Sequence, residues 1–361
     1  MASLATGGDG DTKDTLIQEI TKLIQDEQVL EGVEKFRALE SELGSDSGKL
    51  DEIVQNNRFV KFAQQCNMEL TRFLDELAPI GSSKASKDGW VSVTEEKAKY
   101  RVWYKEEVET SSYTFRVEGM VNAPLFNILS VIYEFELFKT WFPGINESVK
   151  EIQLAKFRFI VSLLGTTLPW PLWTRKSILY AYGDVFNKDS VAIYIREATT
   201  SDLLNNISDE KTNNLDIEND RAKVIVDESK YVNAKCLYGG FHVIPVTEDK
   251  TFIKFAFNFD PQFQLLPASF FNFLIQQTMI PLLGLLTKKA KNIEGTEYEK
   301  RINSAEKGPI YEEIRKRLTK IDYTKKQYTK YLLQSQIDVV EERLAKALAR
   351  EKNTGENTTT D

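Results

Sequence analysis

Few side chains in this sequence could carry out chemistry by themselves. The chain has one histidine, His242, and two cysteines, Cys66 and Cys236, that lie far apart in sequence. A zinc site needs about four such ligands close together, and a disulfide framework needs paired cysteines. His242 and Cys236 are about 20 Å apart along one predicted strand, which is too far for a catalytic pair. We therefore predict a structural histidine, no metal site and no cofactor.

Arg175 is the other polar candidate, and it lies on a predicted strand. A structural ion pair and a contact with the phosphate or carboxylate of a ligand are both open roles for it. No glycine-rich phosphate loop, nucleophile elbow or pair of carboxylates is recognisable in the sequence. We therefore predict binding in preference to catalysis.

One apolar segment, residues 263–286, dominates the elements that would position a ligand. No Asp, Glu, Lys or Arg occurs between Asp260 and Lys288, and at helical spacing apolar residues surround nearly the whole circumference. Its length permits a transmembrane helix, but its glutamines and prolines oppose membrane insertion. A buried core helix and a helix that closes over an apolar cavity remain open. We predict that residues 268–291 form a helix enclosed by the rest of the domain.

The composition is that of a globular chain, with 42% hydrophobic and 28% charged residues over 361 positions. The net charge of −7 argues against a nucleic-acid partner, because binding to phosphates needs a basic surface. No secretory signal is visible at the start, and two separated cysteines fit a reducing compartment. We therefore expect a cytoplasmic protein that is at most peripheral on membranes.

Periodicity predicts an α+β protein. A disordered segment, 1–12, precedes an N-terminal helical hairpin over 13–80. From residue 88 the period changes to two, as in half-buried antiparallel strands, and Ile253, Phe255, Phe257 and Phe259 share one strand face. Strands are predicted around 90–93, 100–104 and 113–117, and over 149–154, 157–164, 174–182, 191–199, 221–230, 236–245 and 251–260.

The segment Leu168–Leu179 contains Pro169-Trp170-Pro171 followed by Arg175, which resembles the Pro-Trp-Pro…Arg-Asp signature of the START (StAR-related lipid-transfer) domain. The resemblance covers about residues 88–293. Lys176 departs from it by standing where the family has Asp, and the loop 202–220 replaces a familiar His-Pro stretch. The order of other motifs also fits that family: Trp90, Ala123-Pro124, Trp141-Phe142-Pro143 and Asp260-Pro261.

The resemblance implies an α+β helix-grip fold, in which a curved antiparallel sheet surrounds a long C-terminal helix and a lipid-sized tunnel lies between them. It implies a lipid as the partner, with a phospholipid and a sterol as candidates. We expect lipid transfer between membranes or lipid sensing, without enzymatic activity. The predicted ligand-binding residues are Trp170, Arg175, Phe255, Phe257, Phe270, Phe271, Leu274 and Thr278.

Two other functions stay open. One is an enzyme resembling polyketide cyclases, which share the helix-grip fold. The other is an interaction protein with a closed pocket, whose terminal helices would bind a protein partner. Native mass spectrometry separates the three, because co-purified lipid, a small polar product or no ligand would be found respectively.

A helical arm is predicted over 298–350, followed by a disordered tail, 351–361. Ile314, Leu318 and Ile321 belong to a pattern of three- and four-residue steps that is typical of a solvated helix or a weak coiled coil. Residues 288–330 contain thirteen Lys or Arg against seven Asp or Glu. The cluster Arg315-Lys316-Arg317 is suited to anionic lipid head groups, so we expect transient contact with an anionic membrane surface.

Overall fold

The computed structural model describes residues 9–44, 46–80, 89–94, 99–165, 174–204, 231–260, 262, 271–272, 275–323 and 326–355. The predicted strand 221–230 and the corner Pro169-Trp170-Pro171 lie outside these residues, as do Phe270 and Leu274. The helices are α1 Asp9–Gln25, α2 Val29–Leu43, α3 Ser47–Asn56, α4 Arg58–Glu76, α5 Leu125–Tyr133, α6 Thr200–Leu204, α7 Ile280–Lys291, α8 Glu297–Ile302, α9 Gly308–Leu318 and α10 Gln334–Gly355.

A ten-stranded sheet forms the centre of the fold. Its strands are β1 Val91–Ser92, β2 Tyr100–Glu107, β3 Ser112–Val121, β4 Glu147–Ala155, β5 Arg158–Gly165, β6 Arg175–Phe186, β7 Ser190–Glu197, β8 Val232–Asn233, β9 Gly239–Thr247 and β10 Lys250–Phe259. The order across the sheet is β1-β2-β3-β10-β9-β7-β6-β5-β4, and β8 pairs with β6. All pairs are antiparallel except β6 with β8.

Strand alternation gives the sheet two buried faces of different character. Phe255 on β10 lies opposite Val117 on β3, and both belong to the main apolar core on the inner face. The neighbouring pair, Lys254 opposite Glu118, points to the outer face because side chains alternate along a strand. Both of these charged residues are buried. The outer face is therefore covered as well, by the terminal parts of the chain.

Of the enclosed helix predicted over 268–291, residues 268–270 and 273–274 lie outside the described residues. Its C-terminal part is observed as α7, which follows a π-helical stretch, Ile275–Met279. Leu282, Leu283 and Leu286 are buried in the main core, where α7 packs against β2, β3 and α5. The predicted α+β helix-grip architecture is thereby confirmed. Within the described residues, none of the helices combines the length and the hydropathy that crossing a membrane requires.

Replacing Leu283 with Asp should lower the free energy of unfolding by about 3 kcal/mol or more, because an unpaired carboxylate would be buried. Leu283 is fully buried, whereas Leu285 on the same helix is only partly buried. Leu285→Asp is therefore the matched control and should cost clearly less in a urea titration. Equal effects of the two changes would show that α7 has no preferentially buried face.

The N-terminal segment forms four helices, so the predicted two-helix hairpin over 13–80 is wrong in detail. The chain turns between α1 and α2 at Glu27, which adopts a positive φ of 60°. Asn57 separates α3 from α4, and its side chain caps α4 by accepting from the backbone N–H groups of Phe59 and Val60. The helix α1 also begins at Asp9, within the segment 1–12 that was predicted to be disordered.

These N-terminal helices pack on the outer face of the sheet. Phe36 on α2 and Phe73 on α4 share one buried cluster with Tyr182 and Tyr194 of the sheet. The rings of Phe73 and Tyr194 meet edge to face, with 6.0 Å between centroids. The segment is thus joined to the sheet by a common core.

The C-terminal arm predicted over 298–350 is also not one solvated helix. Three of its predicted seam positions, Ile314, Leu318 and Ile321, are buried in the main core of the same chain. Tyr328 and Leu332 are buried against the outer face of the sheet. A coiled coil with another helix would need this apolar seam to be free. The helix α10 continues to Gly355, beyond the predicted start of a disordered tail at 351.

One member of the basic cluster Arg315-Lys316-Arg317 is buried. Arg317 is buried and makes ion pairs with Asp184 and Glu313. The guanidinium of Arg315 lies 4.1 Å from the centre of the Phe126 ring. Arg317 is therefore engaged within the chain, whereas Arg315 and Lys316 are exposed. The docking role of the cluster stays a prediction.

A buried polar network, which we call the outer polar cluster, joins the sheet to both terminal regions. Its members are Arg101, Arg116, Glu118, Lys254 and Gln336. The carboxylate of Glu118 accepts from Arg101 at 2.6 Å, from Arg116 at 2.8 Å and from Gln336 on α10. Arg116 and Lys254 donate to backbone carbonyl groups at the end of α4, and Lys254 also donates to the carbonyl of Tyr331. Each buried charge thus has partners, as its burial requires.

His242 has the structural environment that was predicted for it. Its Nε2 atom lies 3.1 Å from Ser190 Oγ, and its ring packs edge to face on Tyr331. Both cysteines are buried and free, and burial raises the pKa of each thiol. A thiol with a raised pKa is a poor nucleophile, so neither cysteine is suited to nucleophilic catalysis.

Candidate functional site

A cavity of about 110 Å³ lies between the inner face of the sheet and helices α5 and α9. Strands β5, β6 and β7 form its floor, and the 3₁₀ turn Phe135–Thr140 contributes one side chain. Its wall is formed by Leu129, Ile132, Tyr133, Phe135, Phe157, Phe159, Ala181, Tyr182, Gly183, Asp184, Val185, Val191, Ile193, Ile314, Arg317 and Leu318.

Small residues on β6 create room on the floor of the cavity. Ala181, Gly183 and Val185 alternate along β6, and side chains two apart share one face of a strand. Gly183 pairs with Ile193 on β7, and an added Cβ atom there would lie only 2.8 Å from Ile193 Cγ1. Glycine is therefore needed at this position to let the two strands pair without a clash.

Aromatic rings form one side of the cavity. The Tyr133 ring on α5 packs edge to face on the rings of Phe159 and Phe157, with 5.4 Å and 6.3 Å between ring centroids. The ring centroids of Phe135 and Phe159 are 5.5 Å apart. Such rings supply large apolar surfaces that hold their shape, because each is fixed by its neighbours. This wall can accept a chain or ring of a ligand but offers it few hydrogen bonds.

Two charged side chains, Asp184 on β6 and Arg317 on α9, also belong to the wall. Arg317 Nη1 donates to Asp184 Oδ1 at 2.8 Å, and Arg317 Nε donates to Glu313 Oε1 at 2.9 Å. Burial raises the pKa of Asp184 to about 6, although the charge of Arg317 opposes that shift. This ion pair lies beside the cavity, whose exposed lining is almost wholly apolar.

Five of the eight predicted ligand-binding residues are described, and none of those five lines this cavity. Phe255 and Phe257 are stacked side by side on β10, with 6.3 Å between ring centroids, and belong to the neighbouring core. Phe271 packs on Tyr104, Tyr113 and Phe115 at the β2–β3 side of the sheet. These three phenylalanines fill the core beside the cavity, and their predicted contact with a ligand stays a prediction.

Arg175 and Thr278 are brought to the same end of the sheet. Arg175 on β6 lies opposite Gly165 on β5. Gly165 is close to Gly144, since a Cβ atom added to Gly165 would lie 3.1 Å from the carbonyl oxygen of Gly144. An added Cβ on Gly144 would in turn lie 3.4 Å from Thr278 Cγ2. Arg175 is buried, and burial lowers its pKa. The head-group role of Arg175 stays a prediction, while Trp170, Phe270 and Leu274 lie outside the described residues.

Sequence reasoning missed the residues that do line the cavity. Alternation along β6 and β7 was visible, but it does not show which strands leave a gap instead of packing. The helical spacing of Ile314 and Leu318 was also visible and was interpreted as a seam for another helix. Only the contact of α9 with α5 and the packing of Leu318 in the main core place these two residues beside β6.

Comparisons with known proteins give structural neighbours alone. No protein-family model matches the sequence, and no curated protein matches it. Among solved structures, the human StAR-related lipid transfer protein 5 is similar, with a TM-score of 0.48 and 13% identity over 63% of this chain and 95% of that chain. Human STARD10 is similar with a TM-score of 0.44 and 14% identity, over 60% of this chain and 77% of that chain.

A third similar structure is the Zhui aromatase/cyclase from Streptomyces sp. R1128, with a TM-score of 0.31 and 11% identity over 53% of this chain and 96% of that chain. The structural neighbours therefore include StAR-related lipid transfer proteins, as the sequence resemblance predicts. All three TM-scores are below 0.5. The argument for function consequently rests on the cavity itself.

Proposed function

We propose that this chain binds one lipid, with part of its apolar chain in the cavity between the sheet and helices α5 and α9. The observation that carries the proposal is a cavity of about 110 Å³ with an almost wholly apolar wall, next to the main core. A bound apolar group would remove the apolar wall of this cavity from water, which is favourable.

The cavity volume sets the size of the group that it can hold. An engineered cavity of about 150 Å³ in another protein holds one benzene molecule. The cavity of about 110 Å³ therefore fits one segment of an acyl chain, and a whole phospholipid or sterol requires its walls to move. Helix α9, from the C-terminal region, forms one of these walls.

In this proposal the protein is cytoplasmic, and it meets membranes transiently to load and release its ligand. The START-like motifs imply the same class of ligand. Transfer and sensing are both served by one bound molecule in an enclosed site. The exposed Arg315 and Lys316 could supply the contact with an anionic membrane surface, whereas Arg317 is paired with Asp184.

Native mass spectrometry of the purified full chain should show one co-purified lipid. Val191→Trp should abolish this occupancy, because the larger ring would fill the cavity from its floor. Val149→Trp is the matched control, since it makes the same replacement at an exposed strand position. Unchanged occupancy in Val191→Trp would place the lipid elsewhere. A small polar product in place of lipid would instead favour the cyclase alternative.

A further inference from the structure

We propose that the ligand of this cavity enters with an unsubstituted hydrocarbon end first, so that its polar end stays outside the cavity. This inference rests on the proposed function, because it concerns the orientation of a ligand in the same cavity. The chemical class that it names is a straight-chain amphiphile with polar groups at one end only.

The backbone of the cavity floor directs its hydrogen-bonding groups away from a ligand. Phe159 on β5 pairs with Ala181 on β6, and Gly183 on β6 pairs with Ile193 on β7. Paired strands point their N–H and C=O groups at each other within the sheet, whereas side chains stand on its two faces. A group that rests on the inner face therefore contacts side chains and not peptide groups.

The polar side chains of β6 are turned away from the cavity. Asp184 follows Gly183 directly, so its side chain points to the outer face of the sheet. There it accepts a hydrogen bond from Arg317 Nη1, which also donates to the carbonyl oxygen of Glu27 between α1 and α2. Tyr182 likewise belongs to the buried cluster on the outer face. These polar groups are therefore engaged on the far side of the sheet from a ligand.

The hydroxyl group of Tyr133 is also used outside the cavity. It donates to the carbonyl oxygen of Lys156, in the turn between β4 and β5, at 3.4 Å, and this contact is exposed to solvent. The ring of Tyr133 packs instead on the rings of Phe159 and Phe157 in the wall. The surface that a ligand meets is thus almost wholly apolar, formed by aromatic rings and aliphatic side chains.

An apolar wall discriminates against a polar group, because that group would lose its water and gain no partner. A single unpaired hydroxyl group should weaken binding roughly tenfold or more. A charged end would lose more than a hydroxyl group does. A hydrocarbon end has no such cost, and its burial against the wall is favourable. The polar end of the ligand therefore stays in contact with water or with groups outside the cavity.

The size of the cavity favours the end of a chain. Its volume of about 110 Å³ is smaller than the volume of about 150 Å³ that holds one benzene molecule in another protein. The fused rings of a sterol would not fit without movement of the walls. The last few carbons of a straight chain require the least change.

The test compares octane-1,2-diol with octane-1,8-diol by isothermal titration calorimetry of the full chain. The two isomers contain the same atoms, but only the first has an unsubstituted end. Octane-1,2-diol should bind roughly tenfold more tightly or better, because the other isomer must bury a hydroxyl group without a partner. Equal affinities, or tighter binding of octane-1,8-diol, would overturn this inference and leave the proposed function standing. Binding of neither isomer would overturn both.

Val191→Thr assigns the preference to the cavity wall. Val191 on β7 lies opposite Val185 on β6, and both line the cavity. Threonine adds a hydroxyl group that can serve as the missing hydrogen-bond partner, so the preference for octane-1,2-diol should fall. Val149→Thr, at an exposed strand position, is the matched control and should retain the preference. Val185→Thr repeats the change on the facing strand. An unchanged preference in both wall variants would place the two isomers elsewhere and overturn the inference.

Discussion

Acidification from pH 6.5 to pH 3 should lower the free energy of unfolding by up to roughly 5 kcal/mol through His242 alone. Burial lowers the pKa of this imidazole to about 3, and the neighbouring charge of Lys254 adds to the shift. Below pH 6.5 the unfolded chain takes up a proton at His242 and the folded chain does not. Stability is therefore complete above pH 6.5 and falls as the pH approaches 3.

Urea titrations at several pH values, on the native sequence and on His242→Gln, measure this contribution as a difference. The carboxylates titrate in both proteins, so their effects cancel. His242 is the only histidine in the sequence, and its ring protons can be followed directly by NMR. An imidazole that titrates near pH 6.5 in the folded protein, or equal pH slopes in the two proteins, would contradict the prediction.

Replacing Glu118 with Ala should cost about 4 kcal/mol of stability, because it leaves buried cations without their carboxylate. Burial opposes the ionisation of Glu118, but the charges of Arg116, Lys254 and Arg101 outweigh it and hold its pKa below the usual value. Removing the carboxylate leaves two buried cations without their counter-ion. Arg116 is fully buried, and burial already lowers the pKa of Lys254 to about 7.

Glu341→Ala is the control for Glu118→Ala. It also removes a glutamate from an ion pair, with Lys326, but that pair is exposed on the surface. Exposed pairs contribute little to stability because water screens them. Glu118→Ala should therefore melt at a clearly lower temperature than Glu341→Ala. Similar melting temperatures for the two variants would show that the outer polar cluster does not hold the terminal regions on the sheet.

The candidate site was predicted less well than the fold. Phe255 and Phe257 were chosen because they alternate on an apolar strand, but the same alternation occurs in a packed core. The structure packs both against core neighbours and leaves the gap beside β6, where Ala181 and Gly183 are small. Alternation shows that a face is buried. It does not show whether a ligand or another side chain buries it.

The terminal regions show a second limit. Helical periodicity, a local property, located amphipathic helices in both regions but missed the breaks between them. The sequence pattern did not predict partners for Lys254 and Arg116. Both interrupt apolar strands, and an unpaired buried charge there would be costly. Their partners are backbone carbonyl groups at Leu77, Ala78 and Tyr331, about 40 to 180 residues away along the chain.

The sequence by itself determined most of the strands, the apolar character of the helix that becomes α7 and the START-like order of motifs, because these depend on residue spacing within short segments. The predicted strands that are described agree with the observed ones to within about four residues at each end. The tertiary structure alone decided which segments meet. Ile314 and Arg317 face β6 only because α9 packs across α5, more than 120 residues from Asp184. Contacts over such separations depend on the packing of whole surfaces, and the residue pattern of either segment alone does not specify them.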